Sequence, residues 1–237
     1  MLALTLGQAA AQDARTTVKR PFDLPPSADL RYELQARHRG FGLKGEATVT
    51  WRAGDGKYAV NAVSKVPLLG TLTEDRSSGT VDTHGLAPAE FHEKRLRKDP
   101  TKTTFNRDTK TLGFSESRQT YPLKGGEQDR ASVTWQLVAV ARAAGDKFKP
   151  GSVWHFFVAG RRDAETWVFK VVRREKVRTG LGEVEAVLVS RQPPADKKDQ
   201  AVDVWLAPQH EWYPVKLRYV DGDKEQVEQT LSTVTKR

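Results

Sequence analysis

Most of the chain alternates apolar and polar residues with the two-residue period of a β-strand. From Leu30 onward these runs recur about every ten residues and are separated by turn sequences. Consecutive hairpins imply antiparallel pairing, and the pattern predicts about a dozen strands. The predicted turns are Gly54-Asp55-Gly56, Ser77-Ser78-Gly79, His84-Gly85, residues 107–110 and Asp221-Gly222.

Residues 129–144 break this pattern, because the sequence DRASVTWQLVAVARAA is apolar almost all the way round a helical wheel. A helix of this kind is buried on most sides. Gly145 stands where a C-cap glycine belongs, and Pro150 prevents continuation. The sequence therefore predicts a mainly β fold. A strongly bent antiparallel sheet, forming an open or closed β-barrel or half-barrel, wraps around one buried helix near 128–144. A helix that fills this interior would confine ligand binding to the rim or the outer face.

The chain divides into three predicted segments: a signal-peptide remnant at 1–11, an extended lead-in at 12–29, and one barrel-like domain at 30–237. Met1–Leu6 is apolar, and Ala9-Ala10-Ala11 fits the small-residue pattern of a signal cleavage site. The alternative is a frayed apolar N-terminus. There is no cysteine, as in many chains that cross to an oxidising compartment, and no apolar run long enough for a membrane span. These features predict a periplasmic or secreted bacterial protein.

The chain carries 39 basic and 30 acidic residues, a net charge of +9, which suits either solubility or an anionic partner. Lys94–Lys98 is predicted to be a basic strand with Arg95 and Arg97 on one face. That face is either simply solvated or a contact for an anionic component of the cell envelope. Nucleic acid is not expected, because Trp167 and Phe169 alternate with Val171 as a core face and are not displayed for stacking.

Three more residues are candidates for ligand binding. Arg130 is predicted in the first helical turn, where the macrodipole disfavours a cation, with Asp129 as the cap. Its role is either a salt bridge that ties the helix to the sheet or an anion contact at a cavity mouth. His155 and Trp205 lie on strands that are apolar on both faces, so each either packs in the core or lines a cavity.

No sequence motif identifies a reaction. The five histidines lack metal-ligand spacing, and there is no HExxH, GxSxG, GxGxxG or P-loop. No catalytic residue, metal or cofactor is therefore predicted.

Several short motifs resemble one protein family in their order along the chain. They are Ser77-Ser78-Gly79, Gly85-Leu86-Ala87-Pro88, residues 126–132 with Trp135-Gln136-Leu137, Trp205-Leu206-Ala207 and Tyr213-Pro214-Val215. Together these motifs resemble the domain-of-unknown-function family 3108 over a region from about Leu30 to the C-terminus. The resemblance implies an exported, β-rich bacterial protein of unassigned activity, and it transfers no catalytic residue.

The sequence favours a non-enzymatic binding or scaffold protein of the envelope, acting on a lipid, a glycan or peptidoglycan fragment, or a protein. One alternative is an envelope hydrolase whose site is assembled only in the tertiary structure. Another is a purely structural protein whose positive charge adheres to anionic surfaces. The oligomeric state is left open.

Overall fold

The computed structural model of the protein describes residues 18–38, 41–193, 200–222 and 225–237. These ranges contain fifteen β-strands and one α-helix. The strands are β1 (Ala28–His38), β2 (Phe41–Gly54), β3 (Lys57–Val66), β4 (Gly70–Asp82), β5 (Gly85–Arg95), β6 (Thr101–Asn106), β7 (Thr111–Phe114), β8 (Ser117–Pro122), β9 (Gln128–Asp129), β10 (Val153–Ala159), β11 (Ala164–Thr179), β12 (Gly182–Gln192), β13 (Gln200–Leu206), β14 (Pro214–Asp221) and β15 (Glu225–Lys236). The helix α1 is Ser132–Ala144, and single 3-10 turns follow at Gly145–Lys147 and Pro208–His210.

All fifteen strands belong to one sheet, in the order β8-β7-β6-β5-β4-β3-β2-β1-β15-β14-β13-β12-β11-β10-β9. Neighbouring strands pair antiparallel, except for the short parallel pair β9–β10. The prediction of a mainly β, antiparallel fold around one helix is confirmed. Because β8 and β9 are edges, the sheet is open, which settles the alternative between an open and a closed barrel.

Side chains bridge the gap between the two edges of the sheet. The Tyr121 ring on β8 meets the Phe157 ring on β10 with centroids 5.6 Å apart. Thr103 Oγ1 donates a hydrogen bond to the Gly160 carbonyl at 2.8 Å. The sheet therefore curves far enough for its two ends to touch without pairing their backbones.

Two predicted turns had different outcomes. Asp55 and Gly56 form the predicted two-residue turn, with positive φ angles of 50° and 68°. The turn predicted at Ser77-Ser78-Gly79 is wrong, because these residues lie inside β4 at a register shift between Ser78 and Gly79. Gly79 is needed there for close approach, since a Cβ would lie 2.2 Å from the Ala87 carbonyl oxygen.

The helix is buried almost all round, as its sequence predicts. Trp135 stacks on Trp51 of β2 with ring centroids 4.4 Å apart, on the side of β1–β3. Leu137 and Val140 pack on the other side, against the apolar faces of β10–β13. The helix ends at Gly145, whose φ is +52°.

The helix fills only one half of the interior. Its start lies near the middle of β4, where Ser77 Oγ donates to Asp129 Oδ2 at 2.5 Å. It then runs toward the β4–β5 turn, where Gln136 Oε1 accepts the Leu86 N–H at 2.8 Å. The opposite end of the sheet, which we call the rim, carries the turns at 67–69, 96–100, 115–116 and 160–163. The helix therefore does not enter the half of the interior next to the rim, which we call the free half and which side chains of the sheet line.

Residues 18–27 contain no helix or strand and pack over the end away from the rim. Trp51 Nε1 donates to the Pro25 carbonyl at 3.0 Å, and the Asp23 N–H donates to the Ala139 carbonyl at 2.9 Å. The predicted signal remnant at 1–11 lies outside the described residues. No helix in the described ranges combines the length and apolar character needed to cross a membrane.

Candidate functional site

The strand register gathers polar side chains on the inner face of β4 and β5, next to the free half of the interior. Along β5, Phe91 and Glu93 are buried, whereas the alternating residues His92 and Lys94 are exposed. The alternation therefore points Glu93 inward, together with Arg95 two residues later. Asp75 on β4 lies directly opposite Glu93.

Three guanidinium groups surround the Glu93 carboxylate, whose side chain is only 1% exposed. Arg95 Nε lies 2.7 Å from Glu93 Oε1, Arg161 Nε lies 3.4 Å from the same oxygen, and Arg130 Nη1 lies 3.9 Å from Oε2. We call Glu93, Asp75, Arg95, Arg130 and Arg161 the Glu93 cluster. Arg161 also pairs with Glu116 at 3.0 Å across the gap between the sheet edges.

Arg130 holds the most open position in this cluster. Its side chain is 39% exposed, and among the described residues its guanidinium donates no hydrogen bond. The group lies against Gly160, where a Cβ would come within 2.8 Å of Arg130 Nη2. Arg130 was predicted in the first helical turn, but it occupies the turn between β9 and α1, because Asp129 still pairs with β10.

The start of α1 is fixed by Asp129. Its Oδ1 accepts the N–H groups of Ala131 at 2.9 Å and Ser132 at 2.8 Å, although Ala131 at the N-cap position supplies no side-chain cap. Burial raises the pKa of Asp129 to about 6, against the lowering effect of these hydrogen bonds and that of Ser77. This cap fixes the backbone beside Arg130, whose guanidinium lies 3.9 Å from Glu93 Oε2.

Several buried polar atoms of the cluster lack a hydrogen bond within the described residues: Asp75 Oδ1, Glu93 Oε2 and Arg161 Nε. Burial, and next the nearby Glu93 charge, raise the pKa of Asp75 to about 7. Buried polar atoms are nearly always paired in proteins, with protein, water or ligand. The cluster therefore has hydrogen-bonding capacity beyond what the fold itself uses.

The facing wall of the interior is amphipathic. Arg191 of β12 stacks over the Trp167 ring at 4.2 Å and pairs with Glu165 at 2.7 Å. Tyr219 shares this face by register, opposite Val227, which in turn lies opposite Ala36. A molecule resting on Arg130 would thus meet cations on one side and half-buried apolar groups on the other.

The structure brings together two of the five residues predicted from sequence, Arg95 and Arg130. Arg97 lies outside the cluster, because β5 ends at Arg95 and Arg97 is exposed in the following turn with φ +58°. It therefore does not share a strand face with Arg95.

His155 and Trp205 also lie elsewhere. His155 is exposed on β10, and its carbonyl accepts a hydrogen bond from Arg20 at 2.9 Å. Trp205 is buried on β13, on the opposite face from Val204, with its Nε1 donating to Glu175 at 2.6 Å.

Sequence reasoning missed Asp75, Glu93 and Arg161. A signal for Glu93 was present, because it follows Phe91 by two residues and so shares the buried face of the strand. Arg161 comes from a turn on the far side of the sheet gap, and only the tertiary structure brings it there. Within the described residues there is no group of His, Asp and Glu side chains that could hold a metal ion.

Comparison with known families shows to which family the chain belongs. A family model described as a protein of unknown function, DUF3108, matches residues 31–230. The chain belongs to the DUF3108 family. The resemblance seen in the sequence motifs is thereby confirmed, and the match covers the whole Glu93 cluster of this family member. A search of proteins with curated functions finds no match.

Solved structures give distant likenesses. A protein from Bacteroides fragilis described as exported, with a YmcC-like fold, is 9% identical, with 92% of this chain and 100% of that chain covered and a TM-score of 0.35. A protein from Parabacteroides distasonis described as a lipoprotein is 11% identical, with 92% and 100% covered and a TM-score of 0.39. A DUF1329 family protein from Desulfovibrio piger is 8% identical, with 90% and 87% covered and a TM-score of 0.29. At these scores the likenesses carry no argument about the DUF3108 chain.

Proposed function

We propose that this protein is a non-enzymatic binding protein of the bacterial envelope that holds an anionic group of its ligand against Arg130 and Arg95. The main observation behind this proposal is that the Arg130 guanidinium has hydrogen-bond donors unused within the described residues. A guanidinium group carries five N–H donors. Here none of them donates a hydrogen bond to a described residue, although the group faces the protein interior.

The charge of the cluster supports an anionic ligand. Arg95, Arg130 and Arg161 converge on one carboxylate, Glu93, and Asp75 is partly protonated near neutral pH. Within the cluster, three cations thus face fewer than two full negative charges. Outside the cluster, Glu116 also pairs with Arg161 and compensates part of its charge. Arginine is suited to bind carboxylate and phosphate groups through paired N–H donors.

The ligand chemistry we infer is a carboxylate or phosphate attached to a partly apolar body. The anionic group fits the floor at Arg130, and the body fits the wall of Tyr219, Val227 and Ala36. A lipid, a glycan or peptidoglycan fragment, and a protein segment could each supply this group. An envelope location is inferred from the apolar, alanine-rich start of the sequence.

Native mass spectrometry of the purified full chain tests the proposal. We expect a co-purifying anionic species whose mass identifies its source, reduced at least about tenfold in Arg130→Ala and Arg95→Ala, as for loss of a charge-assisted hydrogen bond. Arg97→Ala is the matched control, because Arg97 is an exposed arginine outside the cluster. Failure to detect a bound species, or equal occupancy in Arg130→Ala, would refute this site. A large stability loss in Arg130→Ala with binding intact would assign Arg130 to the helix clamp instead.

One observation favours the alternative of a hydrolase. Asp75 and Glu93 are directly opposed on neighbouring strands, so their Cβ atoms are about 4.5–5.5 Å apart. Retaining glycosidases likewise use two neighbouring carboxyl groups, one of them an acid with a raised pKa. A panel of aryl glycosides separates the two functions. The hydrolase predicts turnover that Asp75→Asn abolishes, whereas the binding protein predicts no turnover by the wild type.

A further inference from the structure

The rim presents large apolar side chains to solvent. Leu68 at the tip of the β3–β4 hairpin is fully exposed, Leu69 beside it is 43% exposed, and Leu96 in the neighbouring turn is 39% exposed. The two tips are tied together, since the Leu96 N–H donates to the Leu72 carbonyl at 2.7 Å. Three leucines thus project from adjacent turns at one end of the sheet.

The conformation of Leu68 is unfavourable for its residue type. Its φ is +66°, in the left-handed region that side chains larger than glycine rarely adopt. A backbone outlier with an outward-pointing apolar side chain calls for a functional explanation. The fold does not need leucine here, because the side chain is fully exposed.

Basic residues surround these leucines. Five of them are exposed and form no ion pair within the described residues: Lys44, Lys65, Lys94, Arg97 and Lys98. The acidic residues beside them are Glu46, Asp99 and Glu74, which lies directly opposite Lys94, so the five cations still outnumber the acidic residues around the leucines. A crevice of about 780 Å³ lies between Lys44, Lys65 and Leu68.

The opposite end of the sheet also exposes apolar side chains, but they are not grouped in neighbouring turns. Leu181 in the β11–β12 turn is 37% exposed, Val153 at the start of β10 is 45% exposed, and Val18 in the lead-in segment is 54% exposed. Two lysines there are paired, Lys176 with Glu183 at 2.8 Å and Lys236 with Glu211 at 2.6 Å. Four others are exposed and form no ion pair within the described residues: Lys57, Lys110, Lys147 and Lys149. The rim is distinguished by three exposed leucines in two turns whose strands are hydrogen-bonded to each other.

We propose that the rim docks on an anionic lipid bilayer, with Leu68, Leu69 and Leu96 entering the interface and the surrounding lysines and arginine contacting lipid phosphates. Apolar side chains flanked by basic ones are the composition that binds the surface of anionic membranes. The separate, protruding turns suit a deformable lipid surface better than a flat protein interface. This docking surface goes beyond the proposed ligand site, because none of its side chains belongs to the Glu93 cluster.

Vesicle co-sedimentation of the full chain tests the proposal. We expect binding to vesicles of phosphatidylglycerol and phosphatidylethanolamine, little binding to phosphatidylcholine, and loss in high salt, as screening shortens to about 3 Å at 1 M. Replacing Leu68→Gly together with Leu69→Ser should weaken binding about tenfold or more. Glycine suits the Leu68 backbone, so the variant should unfold at no lower temperature than the wild type.

Two controls at the opposite end match these changes. Leu181→Ser removes an exposed leucine from a hairpin tip and is the control for the leucine changes. Lys110→Glu is the control for the test variant Arg97→Glu. Both reverse a charge at a turn residue with positive φ, +53° for Lys110 and +58° for Arg97. Both controls should bind vesicles like the wild type, while Arg97→Glu should bind several-fold more weakly. Arg130→Ala should leave vesicle binding unchanged, so failure of the ligand site and failure of docking are distinguishable. Absence of vesicle binding, equal losses in the controls, or a dimer that the Leu68→Gly and Leu69→Ser variant dissolves would each overturn the assignment to lipid.

Discussion

Asp75 and Glu93 are direct cross-strand neighbours on β4 and β5, and both side chains point into the free half of the interior. Glu93 is compensated by Arg95 at 2.7 Å. Asp75 has no ion pair within the described residues, and its Oδ1 is shielded from solvent without a hydrogen bond. The pair therefore keeps one compensated carboxylate beside one carboxyl group that burial and repulsion push toward the protonated form.

We expect this pair to make the stability of the protein fall as the pH rises from about 4 to about 7. The pKa of Asp75 is raised from 3.8 to about 7 on folding, so between these values the folded chain holds a proton that the unfolded chain releases. The stabilisation is complete below the unfolded value and is lost as the pH approaches the folded value.

Asp75→Asn isolates this effect. The amide keeps the shape without the charge, so the variant should be more stable than the wild type at pH 8 by on the order of 1–2 kcal/mol, with the difference shrinking toward pH 4. Urea unfolding at several pH values measures it. Asp129, whose pKa burial raises to about 6, contributes to the pH dependence of both proteins, and its charge also helps to raise the pKa of Asp75. A constant difference at every pH would contradict the raised pKa of Asp75.

A second prediction concerns the stack of Trp51 on Trp135, with an interplanar angle of 3° and centroids 4.4 Å apart. Because both rings are buried, Trp135→Ala should destabilise the protein by about 3–5 kcal/mol. Urea unfolding measures this loss. Trp135→Phe, which keeps a buried aromatic ring against Trp51, should lose less stability than Trp135→Ala.

The elements that could be predicted from the sequence are those with a local cause. The helix is apolar on all sides, and α1 is indeed buried between Trp51 and the strands around Phe169. The Asp55-Gly56 turn has the residues that positive φ requires. Ser77-Ser78-Gly79 has the same composition but lies inside a strand, because Ser77 hydrogen-bonds Asp129 and Gly79 makes room for the backbone of β5.

The candidate site could be predicted only in part, for a related reason. Arg130 stood out locally because it was predicted as a cation in the first turn of the helix, and Arg95 because it lies in a basic run. Their convergence on Glu93 depends on the register of β4 and β5 and on contact between the sheet edges, which bring in Arg161. No local pattern encodes the distance between residues 93 and 161.

A third prediction tests the cap at the start of the helix. Asp129 accepts two backbone N–H groups and the Ser77 hydroxyl, all of them buried. Asp129→Ala should therefore cost about 2 kcal/mol of stability, which thermal unfolding can measure. Asp108→Ala, in an exposed turn, should cost almost nothing. If both variants unfold like the wild type, the cap does not hold α1 in place.

The last prediction separates the position of Arg130 from its charge. Gly160 has no positive φ, and the three atoms nearest to a Cβ there all belong to the Arg130 guanidinium: Nη2 at 2.8 Å, and Cζ and Nε at 3.0 Å. Gly160→Ala should therefore push the guanidinium aside at little cost to stability, because the end of a long side chain moves easily. Occupancy by the co-purifying anion should fall about tenfold, as in Arg130→Ala. Gly113→Ala, where a Cβ meets nothing within 4 Å, is the matched control and should bind normally. Full occupancy in Gly160→Ala would mean that the anion does not depend on where the Arg130 guanidinium lies, and the binding site would then have to centre on Arg95.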